Sequence, residues 1–467
     1  MPDRGPKAPQ RERQAGAANL LGVTTAPVRP LPVARPPLLD LAGRLRGRLL
    51  LPGGDAYATR TAALPLPPLA VVEAETADDV VAAVRFAGRH GLDLAVQATG
   101  LGATPCSEST LLVRTAGLAE CTVHEEGWAR VGAGVRWQRV LDEAGKHGLA
   151  ALAGSSPAAG VVGQTLGGGL GPVARTYGLA SDQVRALEVV TGDGVLRRVT
   201  PTEHPDLFWG LRGGRGALGV VTAVEFDLLA VDELYAGALE FAGADAATVL
   251  RRWASWCAGL PRQATTSIAL LRSAGERVVA VRFAWVGDAD AGAAVLAPLR
   301  ECAVPLHDGV RVRPYADMGR IHRFRVPSGP VSEAQLLLDA LPAEAIELLL
   351  AVAGPAAASP QVLVELRQLG GAIARFPERA SAFSHRDGAF SLVAVGPAED
   401  GATEHAAGLV AVLAPWSSDR GLATFGRDES PAALARVYDP ATLQRLAALA
   451  AHYDPHRILA GARGLHG

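Results

Sequence analysis

The stretch AGSSPAAGVVGQTLGGGLG, which runs from Ala153 to Gly171, decides the fold. Its glycines let the backbone turn sharply and leave several main-chain N–H groups free to bind something else. A second stretch of this kind, VQATGLGA, runs from Val96 to Ala103. Because few basic side chains lie in this region, a diphosphate bound here would be held by main-chain N–H groups and not by a lysine clamp.

The residues before the second stretch predict a helix and then a strand. Thr76 and Asp79 match a capping box, and the apolar residues that follow recur at helical spacing, which predicts a helix over 77–90. The alternation over 92–97 predicts a strand. The chain therefore runs from helix to strand to glycine loop.

Two other segments match the spacing of the dinucleotide fingerprint, but their context differs from it. GRGALG at 214–219 is followed by a predicted strand over 220–226, where the fingerprint requires a helix. No strand precedes the match at 169–174, and Asp193 beyond it lies in a predicted hairpin turn. Glycine content alone leaves open that these stretches are tight turns in an ordinary β-rich domain.

The remaining pattern predicts an α+β fold. In the first half, strands are predicted over 110–114 and 128–134, a helix over 137–147 and a hairpin around Asp193 and Gly194. After Leu229 the sequence predicts helices over 245–258, 289–302, 343–353 and 402–413, and strands over 265–272, 277–286, 361–369 and 389–396. Such alternation predicts a second domain in which helices cover one face of a sheet.

Composition excludes several classes of protein. The 467 residues include 45 Lys plus Arg and 47 Asp plus Glu, and the net charge of -2 argues against nucleic-acid binding by bulk charge. No uninterrupted apolar run reaches the length of about 18 residues that a membrane helix needs. The proline-rich residues 1–45 are expected to form a disordered tail, and they lack the features of a signal peptide.

The cysteines predict neither a metal site nor a disulfide scaffold. The four of them, Cys106, Cys121, Cys257 and Cys302, are far apart, and no histidines cluster with them. We therefore expect no metal and a cytoplasmic location. The sequence also lacks the motifs of serine hydrolases, P-loop NTPases and zinc proteases.

Two further motifs accompany the glycine stretches: YGLASDQV from Tyr177 to Val184 and DLFWGLRGGRGALGVV from Asp206 to Val221. In this order the four motifs resemble FAD-linked oxidases of the p-cresol methylhydroxylase type, in the berberine-bridge-enzyme-like branch. The resemblance implies a two-part FAD-binding domain at 46–230. It also implies an α/β substrate domain with an antiparallel sheet covered by helices at 231–418, and a C-terminal segment at 419–467 that returns to the FAD domain.

The resemblance implies which residues contact FAD. The diphosphate would be wrapped by Gln97, Ala98, Thr99, Gly100, Leu101, Gly102 and Ala103. The isoalloxazine and ribityl side would be lined by Ser156, Gly160, Val161, Gly163, Thr165, Gly168 and Gly169, with Val221 near the adenine end. Gln164 occupies a position beside the flavin where the family has glutamine or histidine.

The departures from the family pattern concern the covalent link to the flavin. Leu101 stands where many members carry the histidine that bonds to the flavin, and Ser156 matches the position of a second, cysteine link. Neither side chain is expected to form that bond. Cys106 is close in sequence but lies outside the matching position, so we expect non-covalent, dissociable FAD.

Candidates for proton transfer come from the predicted substrate domain, because the tyrosine base common in the family is not evident near the C-terminus. Glu365 and Arg367 alternate onto one face of a strand, where Glu365 could act as a base while Arg367 holds an anionic substrate or lowers the carboxylate pKa. The alternative, which these residue types favour, is a cross-strand ion pair that stabilises the sheet. His385 and His322 are further candidates, and each could instead be an exposed loop side chain.

These observations predict an FAD-dependent oxidoreductase, an oxidase or dehydrogenase, that acts on a secondary-metabolite or sugar-like alcohol or amine. In this reaction hydride passes to flavin N5, and dioxygen is the expected electron acceptor. The partners would be small molecules, without nucleic acid or membrane. The missing histidine and tyrosine leave an alternative open, namely a non-redox cyclase, isomerase or binding protein on the same scaffold.

Overall fold

The computed structural model describes residues 37–100, 105–273, 276–322, 330–426 and 428–466. These residues form three β-sheets with helices between and around them. The α+β fold predicted from the sequence is therefore confirmed. Within the described ranges, no helix is both long and apolar enough to cross a lipid bilayer.

The first sheet has four strands and lies at the start of the described chain. Its elements are α1 (Leu38–Ala42), β1 (Arg48–Leu50), α2 (Asp55–Thr61), β2 (Ala70–Glu73), α3 (Ala77–His90), β3 (Asp93–Gln97) and β4 (Thr110–Arg114). The strand order is β1-β2-β4-β3, with β4 parallel to both β2 and β3. Strand β3 ends at Gln97, so the first glycine loop begins at the edge of this sheet.

The start of the ordered chain corrects one prediction. Residues 1–45 were expected to form a disordered tail, but Leu38–Ala42 is helical and Leu41 is fully buried in the main core. Burying one leucine side chain stabilises by about 1.5–3 kcal/mol, which favours order in so short a helix. The rest of the predicted tail, residues 1–36, lies outside the described residues.

The second sheet has five antiparallel strands and surrounds the long glycine stretch. Its elements are β5 (Cys121–His124), β6 (Trp128–Gly132), α4 (Trp137–Gly145), α5 (Val161–Leu166), α6 (Ala174–Tyr177), β7 (Val184–Val190), β8 (Leu196–Val199), α7 (Pro205–Leu211) and β9 (Val220–Asp227). The strand order is β5-β6-β9-β7-β8. The predicted hairpin around Asp193 and Gly194 is confirmed as β7 and β8.

The third sheet has nine antiparallel strands. Its elements are β10 (Glu233–Ala242), α8 (Ala246–Cys257), β11 (Ala264–Ser273), β12 (Glu276–Trp285), α9 (Ala289–Arg300), β13 (His307–Asp308), β14 (Arg311–Pro314), β15 (Val331–Leu338), α10 (Ala343–Ala353), β16 (Leu363–Gln368), β17 (Phe390–Pro397), α11 (Asp400–Leu413) and β18 (Ser417–Arg420). The strand order is β13-β10-β12-β11-β16-β17-β15-β18, and β14 pairs with β10. Helices α8 to α11 pack on one face of this sheet in a core of their own.

The C-terminal helices α12 (Pro431–Val437) and α13 (Pro440–Tyr453) lead the chain back to the first sheet. Leu459 bridges to Leu94 of β3, and the N–H of Leu94 donates to the carbonyl of Ile458 at 2.7 Å. Helix α13 also contacts α7. The last residues therefore close the edge of the first sheet beside the glycine loop.

Arg175 fastens the third sheet to the glycine-rich region. It is 6% exposed, and its Nε and Nη2 donate to the carbonyls of Ala264 at 2.8 Å and Leu260 at 3.1 Å. A guanidinium has five donors in a rigid fork, so it can satisfy several carbonyls at once. This arginine fixes the position of β11 relative to α6.

Asp79 is a buried carboxylate that ties the start of α3 to the preceding chain. It completes the predicted capping box, since its N–H donates to Thr76 Oγ1 at 3.2 Å and its Oδ2 accepts from the N–H of Thr76 at 3.0 Å. Its oxygens also accept from the N–H groups of Arg46, Gly47 and Glu75. Burial works to raise the pKa of Asp79, but these main-chain donors outweigh it and lower the pKa.

We expect Asp79→Asn to lower the free energy of unfolding by about 2 kcal/mol at pH 7, because the variant loses hydrogen bonds to a charged group. Since the folded pKa is depressed, this contribution is present above the ordinary aspartate value of 3.8 and disappears as the pH falls below it. Urea unfolding at pH 7 and pH 3 measures both effects. Asp78→Asn, at the exposed neighbouring position, is the control, and an equal loss in the two variants would contradict the role of Asp79.

Candidate functional site

A cavity of about 390 Å³ lies where the three sheets meet. Its walls come from β3 and the loop after it, from α5, from β9, from the segment after β18 and from the C-terminal end. Eight of the lining residues are glycines: Gly100, Gly160, Gly163, Gly167, Gly216, Gly219, Gly426 and Gly461. Glycine exposes the main chain, so much of this wall is backbone.

The local geometry explains why glycine is needed here. Gly100 has a φ of 87°, a left-handed conformation that few other residues adopt. A Cβ on Gly160 would lie 3.4 Å from Thr99 Cγ2, so the two glycine-rich segments approach closely at this point. A Cβ on Gly163 would meet no heavy atom within 4 Å, which means that a side chain there would project into free space.

Among the described lining residues, the charged groups are Arg215, Glu333 and Glu429. Arg215 is committed to the protein, because its Nε donates to the carbonyl of Ala423 at 2.9 Å and its Nη2 to that of Phe425 at 2.7 Å. Burial raises the pKa of Glu429, against the opposing effect of Arg215 and Arg463. The wall therefore offers main-chain donors and polar side chains in place of a cationic clamp.

Gln97 carries a polar atom that has no partner within the described part of the chain. Its Oε1 is buried without a hydrogen bond, and the residue lines the cavity at the end of β3. Buried polar atoms in folded proteins are almost always paired, so such an exception needs an explanation. A polar ligand that donates to this oxygen would supply the missing bond.

The structure brings some of the predicted FAD contacts into this wall. They are Gln97, Ala98, Thr99, Gly100, Gly160, Gly163 and Val221, and Gln164 lies beside them. Ser156, Val161, Thr165, Gly168 and Gly169 are not among the lining residues. Leu101, Gly102 and Ala103 lie outside the described residues.

Two of the predicted residues outside the wall, Gly168 and Gly169, pack closely against other segments. A Cβ on Gly168 would lie 2.5 Å from the Phe383 ring, and one on Gly169 would lie 2.4 Å from the Cβ of Ala180. Both glycines therefore allow close packing behind α5. Their φ angles of 105° and 78° add a conformational reason for glycine.

Sequence analysis missed several lining residues. Gly216 and Gly219 belong to the rejected fingerprint match at 214–219, yet they border the cavity. The segment does not form the strand-to-helix turn of the dinucleotide fingerprint, but two of its glycines line the larger cavity. Gly461 and Glu429 come from the C-terminal segment, where no motif marked them.

A second, narrow cavity of about 20 Å³ lies between Leu170, Gly171 and the third sheet. Arg282, Arg367, His322 and other residues line it. The predicted catalytic pair is here, since Glu365 lies beside both arginines. Arg367 Nη1 also donates to Ser155 Oγ at 2.6 Å, which connects this cluster to the long glycine stretch.

Glu365 is a fully paired carboxylate with 2% of its surface exposed. Its Oε1 accepts from Ser267 Oγ at 2.7 Å and from Arg282 Nη1, and its Oε2 accepts from Arg367 Nε and Nη2 at 3.0 and 2.8 Å. Burial works to raise its pKa, but Arg282 and Arg367 dominate and lower it far below the ordinary glutamate range. Such a carboxylate is a poor base at neutral pH, which favours the ion-pair interpretation.

The two histidines occupy different places. His322 is buried beside Glu365, with Nε2 3.7 Å from Oε1, and burial together with Arg282 and Arg367 lowers its pKa well below 6.5. His385 does not line either cavity. It has a φ of 59°, and its pKa is lowered by burial and by Arg420. The structure thus brings His322, but not His385, to the cluster that includes Glu365 and Arg367.

Comparison with known proteins indicates which cofactor the chain binds. A family model described as an FAD binding domain matches residues 68–200, which supply β3, α5 and both predicted glycine stretches. The crystal structure of 6-hydroxy-D-nicotine oxidase from Arthrobacter nicotinovorans superposes with a TM-score of 0.77 at 25% identity, covering 90% of this chain and 97% of that one. The chain therefore carries an FAD-binding domain at residues 68–200 and has the fold of this oxidase.

Two further proteins resemble the chain, one in part of its sequence and one in its fold. Chitooligosaccharide oxidase from Gibberella zeae is 33% identical over 185 residues, which is 38% of this chain and 37% of that protein. The berberine-bridge-enzyme-like protein 1 of Physcomitrella patens has the same fold, with a TM-score of 0.78 at 18% identity over 90% of this chain and 97% of that one. The chain spans about a third of the length of the curated relatives it matches.

The described residues that line the larger cavity fit FAD. The backbone-rich wall at Gly100 and Gly160 suits a diphosphate, and the unpaired Oε1 of Gln97 suits a polar group of the cofactor. Among the described lining residues, the glycines leave the space open.

Gly163→Phe is expected to block FAD binding, because the ring would enter the cavity. Overpacking a site costs about 1–3 kcal/mol, so the Kd for FAD should rise about tenfold or more. The flavin-to-protein ratio from visible absorbance measures the loss. Gly408→Phe is the matched control, since Gly408 is an exposed glycine of α11 whose Cβ also meets open space. A wild-type flavin content in Gly163→Phe would contradict this location of the cofactor.

Proposed function

We propose that the protein is an FAD-dependent oxidoreductase that binds FAD without a covalent bond. The observation that carries the proposal is the glycine-lined cavity, because the matched FAD-binding domain builds most of its wall. Bound FAD supplies a two-electron acceptor for a hydride from the substrate. The protein supplies position, burial and the groups around the substrate.

Each part of the wall has a task in this proposal. The main chain from Gln97 to Gly100, together with Gly160, would hold the diphosphate, and Val221 would lie near the adenine end. Gly163 leaves room for a flat ring system. Gln164 is held in place because its Oε1 accepts from the N–H of Gly154 at 3.0 Å. Its remaining amide donors can therefore contact the flavin.

The substrate side lies at the small cavity, where the third sheet faces Leu170 and Gly171. Of the predicted catalytic residues, Arg367 borders the substrate, since its guanidinium lines this small cavity. Glu365 acts as a positioning residue, because three of its four hydrogen bonds come from Arg282 and Arg367 and its lowered pKa keeps it ionised. A role for His385 stays a prediction, as the residue lines neither cavity.

The names of the relatives support an alcohol or amine as substrate. One relative is named as an oxidase of chitooligosaccharides and another as an oxidase of 6-hydroxy-D-nicotine. We extend this to a sugar-like or secondary-metabolite alcohol or amine, with dioxygen as acceptor. We place the protein in the cytoplasm, a compartment that suits four cysteines that form no disulfide with one another.

The chemistry of the wall supports dissociable FAD. The described lining residues include neither cysteine nor histidine. Cys106 packs with Tyr57 and Leu112 in a separate small core, and burial raises the pKa of its thiol. A buried, protonated thiol is a poor nucleophile.

The purified protein is expected to be yellow and to release its flavin into the supernatant on acid precipitation, because no described side chain is placed to bond it. Absorbance of the supernatant and the pellet measures the partition. Yellow colour retained in the pellet would contradict non-covalent binding. A protein that stays colourless after incubation with FAD would contradict the whole proposal.

A second step of the same experiment separates redox from non-redox function. Under anaerobic conditions, candidate alcohols and amines are added to the yellow protein, and a substrate should bleach the flavin absorbance. Admission of air should then restore it. Conversion of a compound without any bleaching would favour a cyclase or isomerase instead.

A further inference from the structure

Two arginines line up across the centre of the third sheet. Ser267 on β11 is the register partner of Arg282 on β12 and of Arg367 on β16. Residues directly opposite one another on neighbouring strands share a face of the sheet. Helices cover the other face, where Ile268 and Leu366 are buried. Both guanidinium groups therefore border the small cavity beneath Leu170.

The charges of this cluster do not balance. Among the described residues, the charged groups that act on His322 are Arg282, Arg367 and Glu365, and the two arginines outnumber the single carboxylate. His322 adds no compensating charge, because its lowered pKa keeps it neutral at pH 7. One positive charge is left over in a buried place, which is unfavourable unless an anion accompanies it.

Arg282 also has donors to spare. The residue is 3% exposed, and in the described part of the chain the hydrogen bonding of its side chain is limited to the one from Nη1 to Glu365 Oε1. A guanidinium has five N–H donors, so most of those on Arg282 are available. The small cavity of about 20 Å³ adjoins them. A space of this size takes one compact group.

We propose that the small cavity is the subsite for a carboxylate group of the substrate, held by Arg282 with Arg367. The proposal rests on the proposed function and names the substrate class as alcohols or amines that carry a carboxylate. Planar guanidinium groups match the geometry of carboxylates and can bind them through two hydrogen bonds. The carboxylate would complete the charge balance that the protein leaves open.

Arg367 connects this subsite to the flavin cavity. It lines the small cavity, and its guanidinium carbon lies 5.2 Å from the ring centroid of Phe425, which lines the large one. A substrate anchored by its carboxylate would therefore extend past Phe425 toward the larger cavity. The carboxylate anchor would select and orient the substrate. Oxidation would take place at a different group of the same substrate.

The test uses the FAD-loaded protein with two probes of the same shape, benzoate and benzamide, in isothermal titration calorimetry. We expect benzoate to bind about tenfold or more tightly than benzamide, because only benzoate carries the charge that the arginines lack. Arg282→Gln should remove this preference while keeping its flavin. Arg251→Gln is the matched control, since Arg251 makes an exposed ion pair with Glu347 on the helical side of the same sheet.

Equal binding of the two probes to the wild-type protein, or no binding of benzoate, would overturn the proposal. This comparison does not depend on whether Arg282→Gln folds. A preference for benzoate that survives in a folded Arg282→Gln protein would also overturn it. The flavin absorbance is recorded in each sample. A protein without flavin would refute the proposed function, whereas a flavin-loaded protein without preference would refute the carboxylate subsite alone.

Discussion

The two glycine-rich segments, one at Gly100 and the other at Gly160, lie side by side, and the site depends on this arrangement. A Cβ at Gly160 would already touch Thr99, and a side chain at Gly163 would fill the space beyond. Glycine at these places keeps the cavity open and presents main-chain groups to it. The three sheets supply the walls, but the missing side chains create the room for the cofactor.

Buried arginines hold those walls together, because their N–H groups donate to main-chain carbonyls of the protein. Arg175 binds carbonyls next to β11, and Arg215 binds those of Ala423 and Phe425. Arg175, on α6, and Arg215, which lines the larger cavity, thus stabilise the protein itself. The exception is Arg282, whose donors remain largely free beside the small cavity. This contrast suggests two kinds of recognition, by main chain for the cofactor and by charge for the substrate.

Sequence alone predicted much of the fold, because periodicity and capping are local signals. The helix at 77–90 and the hairpin at Asp193 matched the structure closely. Strands β10 and β15 were missed, although both are long and lie in the third sheet. Site residues were harder to predict from the sequence, because the residues that line a cavity depend on which distant segments meet in the fold. Gly168 and Gly461 show this, because the first belongs to the recognised motif but packs behind α5, and the second belongs to no motif but lines the cavity.

The salt dependence of FAD binding tests most directly whether the main chain, and not a charged clamp, holds the cofactor. Deflavinated protein is titrated with FAD at 50 mM and at 500 mM NaCl, and quenching of flavin fluorescence gives the two Kd values. Salt screens exposed charge pairs but affects buried main-chain hydrogen bonds little. We expect the Kd to change by less than about twofold. A weakening of about tenfold at high salt would contradict the account and reveal ion pairing to the diphosphate.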